Sequence, residues 1–144
     1  MIEIKQLNKS YESGAVVTKV LQEINLAVPN GEFLAIMGKS GAGKSTLLYQ
    51  MSLLDMPSSG EVIIDGVDTA KLSEKERTSF RLNRLGYIFQ DYALMPDLTA
   101  LENVLVPLLM LGLQNNEAKT MAIGALDAVG LAHRHNNRHT QLSL

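Results

Sequence analysis

The sequence predicts an α/β fold: a buried strand feeding a glycine-rich loop and a helix, set among strand patterns before residue 90, with helical patterns after it. Three observations predict it. Phe33-Leu34-Ala35-Ile36-Met37 is a short continuous apolar run, the pattern of a strand buried on both faces of a parallel sheet. It runs into Gly38-Lys39-Ser40-Gly41-Ala42-Gly43-Lys44-Ser45-Thr46 and then into the helix-like stretch Leu47 to Leu54. Strand and helix signals mix up to Phe89 and helical patterns dominate afterwards, which divides the chain into residues 1–90 and 91–144.

The elements follow in order. Ile2-Glu3-Ile4-Lys5-Gln6-Leu7 alternates with period two and reads as a half-buried strand. Val16 to Val28 is rich in β-branched residues and reads as one or two more. Pro29-Asn30-Gly31 signals a turn, and Pro57-Ser58-Ser59-Gly60 ends the helix after the glycine-rich loop. Glu61 to Ile64 is a strand entering a tight turn at Asp65-Gly66. Ser73-Glu74-Lys75-Glu76 has the form of a capping box, with Leu72 placed as its hydrophobic staple, so a charged helix is expected to about Arg84. Its charges suggest a solvated face. Gly86-Tyr87-Ile88-Phe89 is a further strand candidate, with Gln90 at its end. Thr99-Ala100-Leu101-Glu102 is a second capping box opening an apolar helix over 100–113, which Pro107 should kink or shorten. Ala118, Met121, Ala122, Ala125 and Val129 recur at helical spacing, with Gly130 as a C-terminal cap.

Composition narrows the function classes. The 144 residues suffice for one hydrophobic core, and 46% hydrophobic with 19% charged residues is an ordinary globular mixture. A net charge of −2 gives no electrostatic case for nucleic acid or anionic lipid as the main partner. The absence of cysteine excludes disulfides and thiolate metal sites, which suits a reducing cytoplasm. The first residues lack a signal-peptide pattern. The longest apolar run, Val104 to Leu113, is interrupted by Pro107 and Gly112 and falls short of the about 20 residues a bilayer requires. The expectation is a soluble chain whose membrane contact goes through a partner.

Gly38-x-x-x-x-Gly43-Lys44-Ser45 matches the Walker A pattern. Each residue has a chemical reason. Phosphate oxygens need donors from several sides, and the loop amides supply them together with the positive end of the following helix. Gly38, Gly41 and Gly43 permit close backbone approach; Ser40 and Ala42 complete the cradle. Lys44 offers a point charge to the β- and γ-phosphates, Ser45 a hydroxyl to Mg2+, and Thr46 a hydroxyl near the α-phosphate.

With these residues the sequence resembles the ATPases of ATP-binding cassette (ABC) transporters. Asp55-Met56-Pro57-Ser58-Ser59-Gly60-Glu61-Val62 is similar to the family's turn after the phosphate-loop helix. Leu85-Gly86-Tyr87-Ile88-Phe89-Gln90 is similar to the strand entering its Q-loop, and Leu94 to Val104 to the segment beyond. Order and spacing together carry the resemblance, from the first strand to the last residues. Arg77-Thr78-x-Phe80-Arg81, Thr99 to Val104 and the longer loop before Val20 resemble most the lipoprotein-releasing and macrolide-export branch.

The resemblance implies a P-loop NTPase core with an antiparallel β-subdomain and a partial α-helical subdomain, and further roles. Tyr11 would stack on adenine. Gln90 would reach Mg2+ and the attacking water and sense the γ-phosphate. ATP and Mg2+ are the implied cofactors. The implied partners are a transmembrane permease subunit and a second nucleotide-binding subunit, head to tail. The segment from Asp91 would dock on the permease at the inner face of the membrane.

The last residues depart from the family pattern. Gln141-Leu142-Ser143-Leu144 begins like the signature L-S-G-G-Q, with Leu144 in place of the first glycine. The family's Walker B aspartate, the adjacent glutamate and the switch histidine would follow it. The expectation is an incomplete cassette, inactive by itself, with apolar surface left uncovered beside the phosphate-loop strand and a tendency to aggregate. A small P-loop kinase is the alternative enzyme class; the β-rich lead before Gly38 and the setting of Gln90 argue against it. His133, His135 and His139, with Arg134 and Arg138, read as a solvated helix-to-loop segment.

Overall fold

The period-two pattern at the start of the chain becomes the central strand of the sheet. In the computed structural model, which describes residues 1–141, β1 spans Ile2–Ser13 and buries Ile4 and Leu7. It pairs antiparallel with β2, Val16–Val28, and on its other side with β3, Ser59–Ile64. A short β4, Val67–Asp68, completes the order β2-β1-β3-β4. Asp65 and Gly66, at φ 49° and 79°, join β3 to β4 in a two-residue turn. Positive φ at both positions is what a type I′ hairpin requires.

The β1–β2 ladder is irregular between Ile4 and Ser10, and two asparagines mend it. Asn25 Oδ1 accepts from the Gln6 amide at 2.9 Å, and Asn8 Oδ1 accepts from the Glu23 amide at 3.0 Å. Gln6 and Glu23 take positive φ values of 46° and 49°. The bulge brings β1 so close to Gly60 that a Cβ there would lie 2.3 Å from the Gln6 carbonyl oxygen. Only glycine fits, at a φ of +89° that also favours it.

The chain forms two compact units, the first over Met1–Arg81 and the second beginning at Leu82. In the first, the sheet buries Leu21, Val62 and Ile64 together with Leu47 and Leu53. Helix α1, Lys44–Met51, lies between β2 and β3 in sequence. Helix α2, Glu74–Arg84, opens with the expected capping box: the Glu76 carboxylate accepts from the Ser73 amide at 2.8 Å. The charged face of α2 is not wholly solvated. Arg77 is 3% exposed, and its guanidinium donates to the carbonyls of Leu53 and Asp55. Those carbonyls lie just past the end of α1, where helical partners run out.

In the second unit, α3 spans Ala100–Met110 and α4 spans Asn115–Ala128. Thr99 and Glu102 form the full capping box of α3. Pro107 lies inside α3, which ends three residues later. Gly130, at φ 79°, closes α4: its amide bonds the Asp127 carbonyl at 3.0 Å, and the Leu131 amide bonds the Leu126 carbonyl at 2.9 Å. That pair is a Schellman motif. The histidine segment is tied back rather than free. The carbonyls of His135 and Asn137 accept from the amides of Leu101 and Ala100, and His135 Nε2 lies 3.0 Å from Asp127 Oδ1.

Two expected strands are absent among the described residues. Residues 33–37 and 86–89 carry no strand assignment. Phe33, Met37 and Ile88 are 95%, 89% and 98% exposed. An apolar run becomes a strand by exchanging hydrogen bonds with neighbours, and no described strand flanks either segment.

Candidate functional site

Residues 38–46 lead out of the exposed apolar segment and into α1. Gly41 at φ 78° and Gly43 at φ 83° turn the chain, and the Ala42 amide closes the loop on the Lys39 carbonyl at 3.2 Å. Gly43 is also a close-packed position. A Cβ there would meet Leu21 Cδ2 at 3.0 Å and the Val20 carbonyl oxygen at 3.1 Å, so β2 supports the loop from behind.

Gly43 is the N-cap of α1 and offers no side chain to it. The first intrahelical bond runs from the Leu47 amide to the Gly43 carbonyl at 2.9 Å. An α-helix leaves its first amides without helical partners, and the macrodipole makes that end positive. The first turn contains no acidic residue. Lys44 adds a full charge: its Nζ donates to the carbonyls of Gly38 and Lys39 at 2.9 and 2.8 Å. Ser45 is exposed, and Gly43 and Thr46 are half-buried. A glycine-rich turn, an uncapped helix start, an ammonium and an exposed hydroxyl together suit a polyphosphate. Among the described residues, no three His, Cys, Asp or Glu side chains gather as metal ligands. Of the residues in this stretch, Ser45 could hold a divalent ion through its exposed hydroxyl.

Tyr11 sits near the end of β1, 43% exposed, and its hydroxyl donates to Asp55 Oδ2 at 2.8 Å. Asp55 is a hub. Its Oδ1 accepts from Lys9 Nζ at 2.8 Å and from the Met56 amide at 2.7 Å, and its Oδ2 also accepts from Gln50 Nε2 at 3.1 Å. Lys9 is 9% exposed and lies over the Tyr11 ring, 4.7 Å from its centroid. Burial opposes ionisation of Asp55, but hydrogen bonds from Lys9, Tyr11 and the Met56 amide outweigh it and hold the carboxyl below its ordinary range. Burial first, then the Asp55 hydrogen bond and charge, push the Tyr11 hydroxyl up; a hydrogen bond with Thr46 acts the other way.

The structure therefore brings Tyr11, Thr46 and the loop into the first unit. Gln90 belongs to the second unit, exposed in a turn. The signature-like Leu142-Ser143-Leu144 lies outside the described residues. Sequence reasoning missed Lys9, Gln50 and Asp55 as a cluster. Asp55 was visible as a turn residue before Pro57, but no local pattern says that it faces a strand 46 residues away.

Comparison with known proteins places the whole chain rather than the individual site residues. A family model described as ABC transporter matches residues 21–144. The lipoprotein-releasing system ATP-binding protein LolD of Colwellia psychrerythraea is 46% identical, over 99% of this chain and 55% of that protein. LolD of Geobacter metallireducens is 44% identical, over 99% of this chain and 64% of that protein. Two solved structures superpose with a TM-score of 0.93, each covering 99% of this chain and 63% of the other. One, 38% identical, is a dimeric ATP-binding cassette in a post-hydrolysis state bound to ADP and phosphate. The other, 39% identical, is a dimeric bacterial ABC transporter cassette. The chain thus spans 55% to 64% of the length of these relatives.

Proposed function

The chain belongs to the ABC transporter family, and from that premise we propose that residues 38–46 bind the phosphates of Mg-ATP. The chain would serve as the phosphate-binding part of a cassette that couples ATP binding and hydrolysis to transport through a membrane permease. The observation carrying this reading is the uncapped start of α1 behind Gly43, with the Lys44 ammonium held over the loop by two carbonyls.

In this reading Lys44 exchanges the carbonyls of Gly38 and Lys39 for β- and γ-phosphate oxygens, a gain because an anion outbids a neutral acceptor for an ammonium. The first amides of α1 take further phosphate oxygens. Ser45 holds Mg2+, which supplies neutralisation of the developing negative charge. Thr46 faces the α-phosphate and Tyr11 stacks on adenine. Gln90 senses the γ-phosphate and orients water.

A permease subunit and a second copy of the cassette are the proposed partners. No described helix is long and apolar enough to cross a membrane, so the proposed place at the inner membrane face depends on the permease. For these 144 residues assayed by themselves, nucleotide binding without turnover is the second reading.

The test is calorimetry of Mg-ATP with this chain and with Lys44→Ala, following phosphate release in the same samples. Binding that disappears in Lys44→Ala supports the reading. Turnover lost with the same substitution favours the cassette's full activity, and its absence favours the second reading. Binding indifferent to Lys44 would overturn both.

A further inference from the structure

A tyrosine at a strand end has two free torsions and no reason to hold one face open. Here two contacts remove that freedom. The hydroxyl is tied to Asp55 Oδ2 at 2.8 Å. The Lys9 ammonium covers the ring 4.7 Å from its centroid, an attractive cation–π placement. Lys9 is itself fixed by Asp55 Oδ1 at 2.8 Å and by the Met56 carbonyl at 2.7 Å. One carboxylate therefore sets both the ring's polar end and the cation on one of its faces. The residue remains 43% exposed.

We propose that Asp55 is a positioning residue that makes Tyr11 a one-faced stacking platform for the base of a bound nucleotide. The proposal rests on the stacking role given to Tyr11 above and adds what aims the ring. Lys9 and Asp55 alone would staple β1 to the end of α1. Bonding the Tyr11 hydroxyl to the same carboxylate extends that staple to the ring and orients it. The carboxylate would then set the preference for a base-bearing triphosphate over bare polyphosphate, while leaving the phosphate cradle untouched.

The experiment measures Mg-ATP and Mg-tripolyphosphate binding by calorimetry on the full 144-residue chain. The variants are Tyr11→Ala, Tyr11→Phe, Asp55→Asn and the Asp55→Asn/Tyr11→Phe double, each shown folded by a urea transition. The wild type should prefer ATP. Asp55→Asn and Tyr11→Phe should each weaken ATP by roughly threefold to tenfold and leave tripolyphosphate within about twofold, and the double variant should lose no more than Asp55→Asn, because Asp55→Asn already removes the bond that Tyr11→Phe breaks.

Parallel loss of both ligands in Asp55→Asn would mark a merely structural residue and overturn the proposal. If Tyr11→Ala weakens ATP while Asp55→Asn and Tyr11→Phe retain wild-type selectivity, stacking stands and the proposal alone falls. If Tyr11→Ala binds ATP like the folded wild type, or the folded wild type shows no ATP preference or binding, the stacking reading falls and takes the proposal with it. Should Asp55→Asn fail to fold, Tyr11→Phe, which keeps the carboxylate, decides the matter: unchanged selectivity overturns the proposal.

Discussion

Arg81 Nη1 donates to the carbonyl oxygen of Leu53 at 2.9 Å, so a helix that the sequence marks only as charged holds the chain where it leaves α1. Leu53 is 2% exposed and takes φ 58°, an unusual backbone for leucine. Arg77 reaches the same carbonyl at 3.4 Å. Arg81→Ala should lower stability by about 1.5–3 kcal/mol, the range for a hydrogen bond from a charged donor. The urea midpoint measures it, and an unchanged midpoint would show that Arg77 suffices.

Gly60 gives a sharper outcome. An added methyl meets the Gln6 carbonyl oxygen at 2.3 Å and the Leu7 Cα at 2.7 Å, both backbone atoms of a central strand. Gly60→Ala should cost more than about 3 kcal/mol, from overpacking and strain together. Gly66→Ala, at φ 79° in open space, should cost about 1 kcal/mol. Thermal unfolding of the two variants side by side tests the ordering.

Asp55 gives stability a pH dependence with a definite sign. Its carboxyl is held below its ordinary value of 3.8 in the folded chain. The contribution is present above that value and is lost as pH falls through the lower folded one. The gap in urea midpoint between wild type and Asp55→Asn should be constant from pH 7 to about pH 5 and narrow below pH 4. A gap that stays constant to pH 3 would show that Asp55 ionises as freely folded as unfolded.

The exposed apolar segments predict behaviour in solution. Phe33→Ser and Ile88→Lys remove side chains that are 95% and 98% exposed, so unfolding midpoints should move by less than about 0.5 kcal/mol. Aggregation at high concentration should slow in both. Light scattering against time, at matched fractions folded, separates the two effects. A stability loss above about 1 kcal/mol would mean that these side chains are packed in solution.

Local chemistry was the most legible part of the sequence. Ser73–Glu76 and Thr99–Glu102 announce their caps because donor and acceptor lie three residues apart, and Asp65-Gly66 announces its turn because few residue pairs accept positive φ. The glycine-rich loop is legible for the same reason. Residues 33–37 and 86–89 were misread because their apolar runs describe the environment that a strand wants, and strand formation also needs a neighbour. Arg77 was misread because a buried guanidinium is licensed by carbonyls 22 and 24 residues away. The Asp55 cluster was invisible for a like reason, since its partners Lys9 and Tyr11 belong to another element.

One consequence concerns motion. The Val28 end of β2 pairs with Ile2, and Ser59 at the start of β3 pairs with Asn8, so both anchors of the 29–58 excursion sit on β1. The loop proposed to cradle phosphate is a bight of chain clasped at both ends by one strand. When β1 breathes, both ends slacken together, and the excursion regains the freedom that closure had removed. A ligand that stills the bight must therefore also slow the clasp's opening. Amide exchange at Ile4 would then serve as a remote gauge of occupancy at Lys44.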